Sequence, residues 1–301
     1  MSQFTDFSVI IPTFNRPARL ANCLRALAEQ DYPVDRFEVI VVDDGGKSPV
    51  DALISPFRGG INITAVRMAN SGPAAARNHG ARIARGRFLA FTDDDCVPSA
   101  GWLSALVTVL RSSPEALAGG GIRNALVENP FSVASQLILD LIHSYSQKHP
   151  ESIRFFPSDN VALASGLFRE LGGFNPQFRT SEDRDLCDRW SESGRQLVYV
   201  PEAIVYHSNN LCFRSFWRQH LGYGRGACRF YRAHRFRRPG ESTIRGDFYL
   251  ALLHRLPLLI MRQTRHRLIL PLLMAVWQAA NLTGFLQEAF SGKPVTHGGE
   301  S

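Results

Sequence analysis

Residues 88–96 read FLAFTDDDC: four apolar residues, a threonine, then three consecutive aspartates, Asp93, Asp94 and Asp95. An apolar tetrapeptide of this kind suits a strand buried on both faces, with the carboxylates gathered at its carboxyl end. Three like charges there repel one another unless something cationic joins them. A hard divalent ion, Mg²⁺ or Mn²⁺, shared between carboxylates and diphosphate oxygens answers that requirement. An acidic turn or helix cap is the plain alternative.

The same punctuation recurs upstream. Phe7–Ile11 is an apolar run closed by Pro12, and Phe37–Val42 is another, closed by Asp43-Asp44-Gly45-Gly46. Between them Asn15 and Pro17 supply helix-start chemistry, and Leu20, Leu24 and Leu27 follow at helical spacing. Ile61–Met68 reads as a third strand, and an alanine-rich helix over Ala74–Ala84 separates it from the strand at Phe88. Strands alternating with helices predict an α/β fold: a mostly parallel sheet, helices on both faces, right-handed crossovers. Such sheets take ligands at the carboxyl ends of their strands, where both acidic clusters fall. No GxGxxG follows the first strand, which argues against a dinucleotide site.

Asp43 and Asp44 are placed to accept hydrogen bonds from a nucleobase imide or a ribose hydroxyl, or else to close a DG-type turn. The string NSGPAAARN, residues 70–78, opens a helix with small residues that admit a ligand closely. It puts Arg77, suited to phosphate or base contacts, in the early turns. Downstream, Glu182–Ser193 has the pattern of an amphipathic helix, and Leu197–Val200 and Ala203–Tyr206 read as two short β runs leading to His207.

Composition sets the bounds. A chain of 301 residues with 45% hydrophobic content buries a full core and is not broadly disordered. Its +7 charge is uneven: between Arg214 and Arg267, Glu241 and Asp247 are the only acids. A basic stripe beside apolar sequence points to anionic lipid or nucleic acid. Five scattered cysteines without a CxxC pair indicate neither zinc nor a disulfide framework, and fit a reducing cytosol. The opening MSQFTDFSVIIPTF has no basic n-region and reads as a first strand rather than a signal peptide.

In this order the strings resemble the glycosyltransferase family two domain, of the GT-A fold. SVIIPTFNR is similar to its first strand, VIVVDDGG to its nucleotide-binding loop, NSGPAAARNHG to its second donor loop and FLAFTDDDC to its DxD metal motif. SDNVALASGLFRELGGF resembles the acceptor-side segment and SEDRDL the catalytic-base motif. YVPEAIVYH resembles the strand whose terminal histidine completes the metal site in some members. The resemblance covers roughly residues 7–210 and implies a Rossmann-like GT-A catalytic domain over residues 1–213. It implies an enzyme: an inverting, metal-dependent transfer from a nucleotide-diphosphate sugar to a hydroxyl of a lipid-linked or cell-surface glycan, with Mn²⁺ or Mg²⁺ as cofactor. Carried over residue by residue, Pro12, Asp43, Asp44, Arg77, Asp93 and Asp94 contact the donor, and Asp93, Asp95 and His207 hold the metal. Asp183 is then the general base, positioned by Glu182, and Asn160 lies on the acceptor side. DDGG stands where many members have DDGS, which weakens that donor-loop contact.

The remainder divides into a basic, aromatic helix and linker over residues 214–247 and an apolar helical tail over residues 248–301. In the tail, Phe248–Met261 and Leu268–Phe290 flank the basic Arg262–Arg267. Leu268–Phe290 has the length to span a bilayer, but Gln278, Asn281, Gln287 and Glu288 dilute it. The pair reads as a membrane-associated appendage, interfacial or re-entrant, against a helical hairpin packed on the catalytic domain. The expectation is a peripheral or weakly integral protein at the cytoplasmic face of the cell membrane. Its partners are then an anionic membrane surface and no nucleic acid, since no recognised nucleic-acid motif occurs. Two other classes compete. A sugar-phosphate nucleotidyltransferase would carry a Gly-rich loop where Pro12-Thr13-Phe14-Asn15 stands, and a non-catalytic membrane scaffold would lack acids such as Asp93, Asp95 and Asp183.

Overall fold

The computed structural model describes residues 5–148, 155–240, 246–263 and 265–291. Two compact units emerge: the first holds the described residues through Arg123 and those from Phe155 to Ser208, the second holds the rest. Residues 124–148 group with the C-terminal helices in this division.

The first unit runs β1 (Phe7–Thr13), α1 (Pro17–Ala28), β2 (Phe37–Asp43), α2 (Asp51–Ile54), β3 (Asn62–Arg67), α3 (Pro73–Ile83), β4 (Phe88–Phe91), β5 (Cys96–Pro98), α4 (Trp102–Ser112) and β6 (Leu117–Asn124). The chain then enters the second unit with α5 (Pro130–Lys148). It returns with β7 (Val161–Ala164), α6 (Ser165–Glu170), α7 (Glu182–Glu192) and β8 (Leu197–His207). Helices α8 (Phe213–Arg237), α9 (Gly246–Met261) and α10 (Leu270–Phe290) complete the second unit.

Alternation along the strands decides the layering. Val9, Ile11, Val39 and Val41 face one core with Leu20, Leu24, Trp102 and Leu106 of α1 and α4. Ile10, Ile40 and Val42 face the other, with Ala76 and Ala81 of α3 and Leu186 and Trp190 of α7. Every residue of β2 is buried, as a strand covered on both faces requires. Gly80 lets α3 lie close on the sheet: a Cβ there would sit 2.6 Å from Ile10 Cγ2.

The sheet has the order β3-β2-β1-β4-β7-β6-β8-β5. Helix crossovers make β3, β2, β1 and β4 parallel, as the alternating pattern predicts. Beyond β4 the expectation of a mostly parallel sheet fails. There β7 runs antiparallel to β4 and to β6, and β5 runs antiparallel to β8, so the sheet is mixed. The physical reason is connectivity: no helix follows β4 before β5, and the chain between β6 and β7 passes through the second unit. The two β runs before His207 are one strand. Pro201 lies within it, ahead of the Val205–His207 segment that pairs with β5.

In the second unit, Leu137 of α5, Phe216 of α8 and Leu273, Met274 and Trp277 of α10 share a core. Among the described residues no helix is long and apolar enough to cross a membrane, so the tail does not form a span there. Two of the residues that dilute the apolar run, Gln287 and Glu288, meet α8. Arg225 donates to Gln287 at 2.7 Å, Arg229 to both carboxylate oxygens of Glu288 at 2.8 and 3.1 Å, and Arg232 to the Ala289 carbonyl at 2.7 Å.

Candidate active site

The carboxyl ends of β1, β2 and β4 lie side by side, and register places their loops together. Thr13 of β1 pairs with Asp43 of β2, and Pro12, half-buried, pairs with Val42. After β4 the aspartate triplet turns straight into β5, whose Cys96 lies opposite His207 of β8. That ladder contact and the bond from the Ser208 amide to the Asp95 carbonyl, 2.8 Å, bring His207 to the triplet from residues far away in sequence. His207 Nε2 is 3.4 Å from Asp95 Oδ1.

Asp43 and Asp44 have different tasks. Asp44 Oδ1 accepts the Ser71 amide at 2.7 Å, and Oδ2 accepts the Gly72 amide at 2.9 Å. Asp44 therefore pins the loop before α3 and has little left for a ligand. Asp43 Oδ1 accepts the Gly46 amide at 2.7 Å, while its buried Oδ2 has no hydrogen-bond partner and lies 3.5 Å from Arg67 Nε. Asp43 is the one presenting a free acceptor.

Arg77, buried in α3, ties three motifs into one site. One of its amino groups donates to Asp93 Oδ1 at 2.6 Å and the other to Glu182 Oε1 at 3.0 Å, with the ring of Phe174 5.6 Å from the guanidinium. Burial alone would lower its pKa, but Asp93 and Glu182 outweigh that and hold it above its usual range. Glu182 and Asp183 open α7 after Ser181, which stands at φ 71°. Burial, then their mutual repulsion, pushes Glu182 upward, and burial likewise raises Asp183. Glu182 is buried against Arg77, whereas Asp183 is half-buried.

The triplet is held by cations that sequence reading passed over. Arg16 donates to Asp94 Oδ1 and Asp95 Oδ2, each at 3.0 Å, and Arg19 donates to Asp95 Oδ2 at 2.9 Å. Thr13 Oγ1 donates to Asp94 Oδ2 at 2.7 Å. Burial raises Asp94 to about 6 against the pull of Arg16 and Thr13. At Asp95 burial works the same way, but His207, Arg16 and Arg19 prevail and lower it to about 2. The available signal was position: Arg16 and Arg19 sit one helical turn apart at the start of α1, at the sheet edge that carries the acids.

Asn160 is a structural pin rather than a group turned toward a ligand. Its Nδ2 donates to the carbonyls of Gly121 and Ala203, both at 2.9 Å, and its Oδ1 accepts Trp102 Nε1 at 2.8 Å. It holds its neighbour Asp159, which sequence reading passed over, in the site. Among the described residues of the first unit, the buried side-chain nitrogen and oxygen atoms lacking a partner are Asp43 Oδ2, Arg77 Nε, Thr92 Oγ1 and Asp159 Oδ1. All four belong to the motif strings, and a buried polar atom left unpaired calls for a partner.

These donors fit a divalent cation. Ligand atoms of Asp95, Cys96 and His207 lie within 4.8 Å of one another. A carboxylate with oxygens from a diphosphate suits a hard divalent ion, and the imidazole adds one nitrogen donor. Burial drives the Cys96 thiol well above its ordinary pKa and leaves it protonated, a poor ligand. Asp93, paired with Arg77, is not in that group.

Residues 8–181 match glycosyl transferase family 2. The pre-mycofactocin glycosyltransferase of Mycobacterium tuberculosis H37Rv is 34% identical over 231 residues, covering 74% of this chain and 47% of that protein. The chain thus spans about half the length of this relative. Among solved structures, the mannosyltransferase PcManGT from Pyrobaculum calidifontis in complex with GDP-Man and Mn²⁺ matches 97% of this chain and 89% of its own. Its TM-score is 0.69 and its identity 18%. Staphylococcus aureus TarS 1–349 in complex with UDP-GlcNAc matches 95% and 91%, with TM-score 0.55 and 17% identity. These likenesses establish the GT-A fold.

Proposed function

Because the chain belongs to glycosyl transferase family 2, we propose that it transfers a sugar, with inversion, from a nucleoside-diphosphate sugar to a hydroxyl of a lipid-linked or cell-surface glycan. The observation that carries this reading is the Arg77 bridge, which joins Asp93 of the aspartate triplet to Glu182 of the SEDRDL string. Inverting transfer needs a base on the sugar face opposite the departing diphosphate, and Glu182 leads directly into Asp183 at the start of α7.

Asp43 Oδ2 takes an N–H from the nucleobase, and Asp44 keeps the loop shaped around it. Asp95 and His207 hold Mn²⁺ or Mg²⁺. When bound, the ion acts as a Lewis acid that offsets charge developing on the departing diphosphate. Asp183 accepts the proton of the attacking hydroxyl. Glu182 is occupied by Arg77, so of the two neighbouring acids Asp183 is the one available to substrate, and its raised pKa makes it a better base. The donor bound by PcManGT is GDP-Man and that bound by TarS is UDP-GlcNAc, which supports a nucleotide-sugar donor here. The test is a thermal-shift screen of nucleotide sugars with Mn²⁺, followed by NMR of the product. No stabilisation by any nucleotide sugar, or retention of the donor's anomeric configuration, would sink the proposal.

A lipid-linked acceptor places the protein at the cytoplasmic face of a membrane, bound peripherally. Support comes from the turn between α9 and α10. Leu258, Met261, Leu268 and Leu272 are exposed there, Leu268 at 91%, among exposed Arg262, Arg265 and Arg267. Leucines left in water beside arginines match an anionic headgroup region.

A further inference from the structure

Asp159 has no assigned part in the chemistry above, yet it is buried in the same cluster. It precedes β7, on the neighbouring strand end, and Asn160 clamps its backbone to β6, β8 and α4. Its Oδ2 lies 3.8 Å from His207 Nδ1, the ring nitrogen opposite the one that faces Asp95. Its Oδ1 is buried and lacks a hydrogen-bond partner, and its other neighbour is the Cys96 thiol, 3.9 Å from Oδ2. His207 thus stands between two carboxylates, one at each ring nitrogen.

An imidazole can offer a lone pair at Nε2 only if its proton sits on Nδ1, and that proton needs an acceptor. Among the described contacts of His207 Nδ1, the carboxylate placed to supply it is Asp159, with Oδ2 3.8 Å away. We infer that Asp159 is a positioning residue for the metal centre: its carboxylate accepts the Nδ1–H of His207 and so turns Nε2, lone pair outward, toward the ion held with Asp95. The inference rests on the metal reading of the proposed function. A carboxylate behind a ligating histidine fixes its tautomer and orientation and raises its basicity, and losing one typically costs about 10–100-fold in metal affinity.

The probe is Mn²⁺ alone, titrated into the full chain and followed by electron paramagnetic resonance of the free ion. Wild type is compared with Asp159→Ala, Asp159→Asn, His207→Ala and the Asp159→Ala/His207→Ala double variant. Asp159→Ala is expected to weaken binding by about 10–100-fold. Asp159→Asn, which keeps an oxygen acceptor and the size of the side chain, is expected to recover part of that loss. In the His207→Ala background the Asp159→Ala effect should vanish, because a residue acting through His207 has nothing left to position. Circular dichroism confirms that each variant is folded, and Asp159→Asn carries the comparison if the alanine variant does not fold. Wild-type affinity in both Asp159 variants, or an equal loss with and without His207, overturns the inference. A wild-type chain that fails to bind Mn²⁺ overturns the metal reading itself, while unchanged variants beside a binding wild type overturn Asp159 alone.

Discussion

Asp183 and Arg19 carry the sharpest consequences at the scale of single residues. Asp183→Asn keeps size and removes the proton acceptor, so donor binding survives and turnover drops by about two to four orders of magnitude. Isothermal titration with the donor and a rate measurement separate the two, and near-wild-type turnover would falsify the base assignment. Arg19 gives a different kind of test. It sits on Asp95, at 2.9 Å, where the metal would have to compete with it. Arg19 is partly exposed, so its hold is worth no more than about 1 kcal/mol, roughly fivefold in a binding constant. Arg19→Gln should therefore tighten binding of Mn²⁺ alone by up to that factor. Weaker binding in the variant would mean that Arg19 supports the ion instead of competing with it.

At the scale of elements, α8 and α10 show why the C-terminal stretch is apolar without forming a span. A Cβ at Gly224 would collide with the Asn281 carbonyl, and one at Gly284 with that of Leu221, so the two helices pack backbone to backbone. Gly224→Val should destabilise the folded chain by roughly 1–3 kcal/mol, read from urea unfolding. An unchanged midpoint would show that the helices do not pack this way. The same helix carries His220, buried between Phe216 and Tyr223 with neither ring nitrogen hydrogen-bonded. Burial lowers its pKa from 6.5 to about 4. The unfolded chain then takes up the proton first. Stability owed to this group is whole above pH 6.5 and declines as pH falls toward 4, by up to about 1.4 kcal/mol per pH unit. His220→Phe should flatten that part of the profile. Equal losses between pH 7.5 and pH 5 in variant and wild type, measured by denaturant midpoint, would rule the histidine out.

For the whole molecule, the question is how far the basic and apolar C-terminal part belongs to a membrane. Part of its charge is already spent inside the second unit, since Arg225 and Arg229 meet Gln287 and Glu288. A chain cut before α10 would lose those partners and expose the seam at Gly224, so truncation is a poor probe of anchoring. Point charges at the exposed turn are cleaner. The full-length protein should sediment with vesicles containing phosphatidylglycerol, and Leu268→Asp with Leu272→Asp should leave it in the supernatant with an unchanged melting point. Equal sedimentation of both proteins would remove this turn as the contact.

The residues alone determined the parallel half of the fold and the sheet edge at which its acidic clusters gather. Apolar runs lead into Pro12, Asp43-Asp44 and Asp93–Asp95, and α/β sheets gather the carboxyl ends of their strands, with the polar groups that take ligands, at one edge. What periodicity could not reach was set by long-range pairing. The antiparallel half of the sheet, the single strand through Pro201, and the Cys96–His207 register depend on partners far away in sequence, and nothing local encodes them. The roles of neighbouring residues were also decided there. Asp43 and Asp44 are equal as letters, as are Asp159 and Asn160 beside polar neighbours. Only the folded chain spends the hydrogen bonds of Asp44 and Asn160 on its own backbone and leaves Asp43 and Asp159 each with an oxygen unclaimed.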